Sequence, residues 1–180
     1  MSVNAAVETT TESQVEEQAF GAQPAAPAND GERVVAALIG KGKLKEADLA
    51  RAQRLREETG GELLGLLARL GLVSERDHAE ACADVLRLPL VAVKELPDMP
   101  PEDVELSFKF MKQFAVVPVA IRERDVDVLM ADPQDAYVLD AVRLACQRDV
   151  RPLVGLRSEI GDLVERWHGQ GRSEIGRAHV

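Results

Sequence analysis

The strongest constraint on this chain is an internal repeat. Leu38, Gly42, Leu44, Asp48 and Ala52 recur as Leu67, Gly71, Val73, Asp77 and Ala81, each 29 residues further on. Each copy reads as a helix with an apolar stripe, a glycine turn, an apolar anchor and a second helix. Val34, Val35, Leu38 and Ile39 share one helix face, and the pattern stops at Gly40 and Gly42. A second helix is predicted over Glu46–Glu58, closed by Gly60-Gly61. Leu63, Leu64, Leu66, Leu67 and Leu70 form the next stripe, with Gly71 as its stop. Ser74 opens a fourth helix, with Asp77 at capping-box spacing, and Pro89 forbids continuation past Leu86 or Leu88. One helix pair cannot cover its own stripe, whereas two copies can cover each other. Residues 31–88 are therefore expected to form a helical subdomain of two helix-turn-helix units.

Beyond Pro89 the period changes. Leu90–Val93 is a short strand candidate, residues 97–101 a loop, and Ser107–Phe114 a brief helix with Phe108, Met111 and Phe114 inward. Ala115–Ile121 and Val126–Met130 are β-branched runs around the charged turn 122–125, which is a hairpin signal. Residues 135–147 read as helix, 150–154 as strand and 158–168 as helix. Residues 89–170 are thus expected to form a small mixed α/β sandwich, making the whole chain α+β. Asp132 is placed to cap the following helix, with Pro133 at its first position, where a missing N–H costs nothing. Residues 171–180, rich in glycine and charge, suit a linker. Residues 1–30 contain Glu8, Glu12, Glu16, Glu17 and Asp30 but no Lys or Arg, and read as an acidic tail without a core of its own. A short helix over Glu12–Phe20, docked through Val15 and Phe20, is the one element they could supply.

Aromatic residues make up 3 % of the chain, so a packed interior must be built from aliphatic side chains. Net charge is −9, which disfavours nucleic acid, because phosphate binding is supplied by clustered Lys and Arg. Cys82 and Cys146 lie far apart in apolar helical patterns and read as buried free thiols in a reducing cytoplasm. With no apolar run of spanning length and no secretory leader pattern, the chain is expected to be a cytoplasmic protein.

No residue cluster announces catalysis. Gly40-Lys41-Gly42-Lys43 resembles a phosphate loop only superficially, because Leu44 stands where a hydroxyl is needed and the flanking spacing fails. It reads instead as a helix-ending turn. His78, His168 and His179 lack partners at metal-ligand spacing. Ser74, Asp77 and His78 crowd one helical turn and cannot aim a nucleophile into a pocket. Trp167 sits beside Val164 in the last helix and reads as core.

The stretch MADPQDAYVLDAVRLACQRDVRPLVGLRSEIGDLVERWHG resembles a segment of the N-terminal domains of secretion and pilus assembly ATPases. FKFMKQFAVVPVAIRERDVDVLM and LLARLGLVSERDHAEACADVLRLPLV fit the same scheme, so the resemblance runs over roughly residues 33–171. It is nearest to the GspE family of type II secretion, including its Xanthomonas-type branch. The resemblance implies a non-catalytic docking module for the cytoplasmic domain of an inner-membrane GspL-type partner, with membrane association only through that partner. It also implies a homo-hexameric full-length protein whose ATP and magnesium chemistry resides in a C-terminal domain. Neither the phosphate loop nor the tetracysteine zinc motif of that domain occurs here. The docking face is expected on the exposed sides of the helices between Arg33 and Leu55, or at the sheet edge near residues 116–128.

Some relatives, of the MshE type, bind cyclic di-GMP through two tandem motifs. On that resemblance Arg33, Leu38, Gly42 and Gly71 are the candidate ligand-site residues, with Ile39, Leu44, Leu49 and Ala52 also retained in the first copy and Leu63, Leu67, Val73 and Ala81 in the second. The sequence departs from the pattern at Val35, Asp48 and Arg56, then at Glu62, which replaces an arginine, and Val85, which replaces a glutamine. A carboxylate is a poor exchange for the cation that would meet a dianion.

Overall fold

The structure is a computed structural model that describes residues 29–102 and 106–175. The two repeat units appear as α1 (Asp30–Gly40), α2 (Glu46–Thr59), α3 (Leu63–Arg69) and α4 (Glu75–Leu86). They are followed by a 3-10 turn at Val93–Glu95 and by α5 (Phe108–Phe114). The remainder comprises β1 (Val116–Ile121), β2 (Asp125–Met130), α6 (Ala136–Cys146), β3 (Asp149–Val154) and α7 (Arg157–Ile175). The fold is α+β, as the sequence implied, with seven α-helices and one three-stranded sheet among the described residues.

The helical units bury Val34, Leu38, Leu44, Ala52, Leu64, Leu67, Val73 and Ala81 in one cluster. Leu38 and Leu67 occupy matching places in the repeat and are almost wholly inaccessible. Gly42 and Gly71 both take φ +66°, and a Cβ at either would meet open space. Backbone conformation, not crowding, therefore requires glycine at each turn.

The sheet order is β1-β2-β3, with β1 antiparallel to β2 and β2 parallel to β3. Period-two alternation sends Val126, Val128 and Met130 toward α6, where they meet Val138, Val142 and Cys146. Leu129 and Ala131 face the other way, with Val117 and Val119 of β1, toward Ile160, Leu163, Val164 and Trp167 of α7. Asp127 is the buried charged side chain of the described residues. Arg122 grips it with two N–H donors at 2.9 and 2.7 Å, a bidentate pair that satisfies both carboxylate oxygens.

The two halves share a seam. Val154, at the end of β3, is completely inaccessible and belongs to the helical cluster, while Leu153 packs in the α7 layer. Val154 donates to Pro89 O at 2.9 Å and accepts from Val91 N at 2.9 Å, forming an isolated parallel bridge with Leu90. The boundary expected at residue 88/89 is therefore not a clean break.

Several expectations require correction. The helix after the Ala-Asp-Pro turn is capped by Asp135, whose carboxylate accepts from Val138 N at 3.1 Å. Asp132 instead accepts from Gln134 N at 3.2 Å, so Pro133 lies in a turn ahead of the helix. Leu90–Val93 contributes only the single bridge to β3, because the chain turns into the 3-10 segment at once. β2 is the central strand, so residues 126–128 offer no edge, and β1 carries Pro118 next to a register irregularity. Helix α7 continues through Gly169 and Gly171 to Ile175, past the linker boundary set at 171, because extending an existing helix is far less costly than starting one. α1 starts at Asp30, within the segment read as tail. Asn29 Oδ1 accepts from Glu32 N at 2.9 Å, and Glu32 Oε2 accepts from Asn29 N at 3.2 Å, a complete capping box. The rest of the tail, including Glu12–Phe20, lies outside the described residues.

Candidate functional site

A groove of about 650 Å³ lies between α1, α2 and α3. Val35, Ile39, Leu49, Leu63 and Leu64 give it an apolar lining, because each repeat stripe is slightly wider than its partner can cover. Asp30, Glu32 and Glu62 line it from the polar side, with Gln53, Arg56 and Gln134. Gln134 reaches in from the turn before α6, and its Nε2 is buried without a partner among the described residues.

The four residues suggested by the cyclic di-GMP pattern do not converge on this groove. Arg33 is half-exposed, pairs with Asp30 at 2.8 Å and reaches toward Val85 O at 3.5 Å, at the far end of α4. Leu38 is core, and Gly42 and Gly71 serve their turns. Glu62, by contrast, stands where the repeat places Arg33's counterpart, and it lines the groove. The phosphate-loop look-alike is a turn after α1 whose Lys41 pairs with Asp84 and whose Lys43 pairs with Asp77 at 2.9 Å.

A second cleft, about 480 Å³, separates the helical half from the turn before α6 and the start of α7. Glu62, Glu75, Asp132 and Asp135 line it together with Arg69, His78 and Arg157. Burial raises the Glu62 carboxyl above its ordinary value, and the charges of Asp132 and Asp135 raise it further. Glu75 accepts from both Ser158 N at 3.2 Å and Ser158 Oγ at 2.7 Å, so α4 supplies a carboxylate to the N-terminus of α7. Sequence reading missed this contact, since residues 75 and 158 share no local pattern.

His78 and Cys82, one turn apart on α4, place Nε2 and Sγ 3.6 Å apart. The spacing was visible in the sequence, but the pair is no nucleophile. Burial first, and the Asp132 charge second, push the Cys82 thiol up to about 12, and burial lowers His78. The thiol form thus stabilises the fold fully below the ordinary value of 9.0, and that contribution is lost as pH rises from there toward 12. Urea midpoints measured from pH 8 upward should fall in the alkaline range, approaching about 1.4 kcal/mol per pH unit from this group. Cys82→Ala should have a shallower alkaline fall than the parent; parallel curves would exclude the thiol as the cause.

Among the described residues no group of His, Cys, Asp and Glu could hold a metal ion, and no helix is long and apolar enough to cross a membrane. What the surface offers is an aliphatic groove with charged margins, fit for recognition. Comparison with known proteins places that architecture. Residues 86–174 match the MshEN domain family. The chain is 55 % identical over 148 residues to the type II secretion system protein E of Xanthomonas campestris, covering 80 % of this chain and 26 % of that protein. It is 32 % identical over 124 residues to the type IV pilus assembly ATPase PilB of Thermus thermophilus, covering 66 % of this chain and 14 % of that one. The chain therefore spans about a quarter or less of the curated relatives it matches. A crystal structure of the N-terminal domain of XpsE superposes with TM-score 0.71 at 52 % identity, over 79 % of this chain and 98 % of that one. A structure of MshE with cdg shares the fold at TM-score 0.58 and 20 % identity, covering 75 % of this chain and 98 % of that one.

These matches define the class, an N-terminal domain of a secretion or pilus assembly ATPase. The chain belongs to the N-terminal domain family of the type II secretion system assembly ATPases, the GspE family.

Proposed function

We propose that this region is the docking and regulatory module of a type II secretion ATPase, anchoring it to the cytoplasmic domain of an inner-membrane GspL-type protein during protein export. The observation that carries this reading is the 52 % identity to the XpsE N-terminal domain over 98 % of that chain. A surface built for packing and recognition, with the Cys82 thiol beside His78 held in its protonated state by burial, supports a non-catalytic role. ATP and magnesium then act in the larger part of the longer relatives, where a hexamer would assemble. The module sits in the cytoplasm and reaches the inner membrane only through its partner, without nucleic acid.

The test is capture of the partner's purified cytoplasmic domain by the 180-residue chain, together with ATPase assay and calorimetry. Capture, no ATP turnover and no heat on titration with cyclic di-GMP are expected. Turnover by the isolated chain, or failure to capture the partner domain, would overturn the reading. Saturable cyclic di-GMP heats lost in Arg33→Ala would favour a sensor domain instead.

A further inference from the structure

We infer that the groove between α1, α2 and α3 docks a basic segment with apolar anchors contributed by the partner protein, and that Glu62 sets this preference. The inference rests on the docking role proposed above and names the chemistry of the face that performs it. Charge complementarity carries it. Asp30, Glu32 and Glu62 line the groove on the polar side, against Arg56 as the one lining cation among the described residues. Asp30 is paired with Arg33 and Glu32 is held in the cap of α1, so Glu62 is the carboxylate left to meet an incoming cation. The features that would draw an anion into the same place are already engaged. Asn29 and Glu32 close the capping box at the start of α1, taking up N–H groups that would otherwise meet a phosphate. Arg33 is turned out of the groove and held by Asp30. At the corresponding place 29 residues on, the second copy brings Glu62 into the lining instead.

Glu62 also lines the cleft that contains Asp132 and Asp135, and their like charges oppose its ionisation. A Lys or Arg side chain arriving there relieves that repulsion, whereas a phosphate adds to it. The apolar lining between the acidic positions accepts aliphatic side chains at i and i+3 or i+4 spacing, the pattern of an amphipathic helix laid in a groove.

The experiment uses fluorescence anisotropy on the full chain. One labelled peptide of about 18 residues carries leucines on one helical face and lysines and arginines on the other. A second carries glutamates in place of the basic residues. Glu62 makes no side-chain cap hydrogen bond at α3, so Glu62→Arg and Glu62→Gln remove charge without removing a cap. The basic peptide should bind the parent with salt-sensitive affinity, and Glu62→Arg should weaken it at least about tenfold, with Glu62→Gln between. Glu123→Arg, an exposed change of equal charge remote from the groove, should leave affinity within about twofold. Equal weakening by Glu123→Arg, indifference to Glu62→Arg, or equal binding of the two peptides would overturn the inference. So would tighter binding of cyclic di-GMP than of the basic peptide. Partner-domain capture retained undiminished in Glu62→Arg sinks this inference and leaves the docking role standing. Groove-dependent peptide binding without capture of that partner sinks the docking role and, with it, the partner's segment as the occupant.

Discussion

Trp167→Ala is expected to cost about 3–5 kcal/mol of stability, while Trp167→Phe costs far less. The indole is 6 % exposed and lies with Val117, Leu129, Ile160 and Leu163 between the sheet and α7. Truncation leaves a cavity in a layer clamped between β-strands and a helix, so little collapse can follow. For a chain of this size each kcal/mol shifts the melting midpoint by about 2–4 °C, so a fall of roughly 6–20 °C should appear in thermal circular dichroism. Phenylalanine behaves differently for a stated reason. Trp167 Nε1 is buried with no partner among the described residues, and an unsatisfied buried donor costs about 1–3 kcal/mol. Removing it offsets much of the lost contact area. A Trp167→Ala variant that melts like the parent, yet loses partner capture, would show the indole to be a binding platform instead.

The repeat makes the second prediction. Leu38→Ala and Leu67→Ala should each destabilise by about 2–5 kcal/mol, and by similar amounts. Both side chains are at most 1 % exposed, lie at equivalent positions 29 residues apart and pack into one cluster. Because they share that cluster, the double variant should cost less or more than the sum by a measurable interaction energy of about 0.5–3 kcal/mol. Denaturant titration of the four proteins settles it. Strict additivity would mean the two side chains are not coupled through that cluster, and a several-fold difference between the single variants would mean the two copies are not structurally equivalent.

Much of this fold was legible because its signals are local and repeated. The glycines at 42 and 71 mark helix ends that need a left-handed residue, and the β-branched runs around residues 122–125 mark a hairpin. The ends of α4, α5 and α6 were harder to read. There Arg87, Ala115 and Gln147 adopt positive φ without the glycine that normally announces it. Asp132 is the cap expected for the helix after the Ala-Asp-Pro turn, but it closes the turn itself, and the cap falls to Asp135, three residues on. The parallel placement of β3 beside β2 follows from the crossover through α6, and it moved β2 from an edge to the centre. The groove was visible only as apolar stripes. Which charges line it depends on how α1 is capped and where Arg33 turns, and neither follows from helical periodicity.

Val154 places one side chain in the interior of the first half while its strand belongs to the second. The helical repeats therefore lack a complete interior until a strand encoded more than 60 residues past α4 has arrived. A side chain from a later strand thus completes an interior begun by the earlier helices. Denaturation should accordingly proceed as a single concerted transition, and a truncation before β3 should yield an expanded, dye-binding helical intermediate in place of an autonomous four-helix unit.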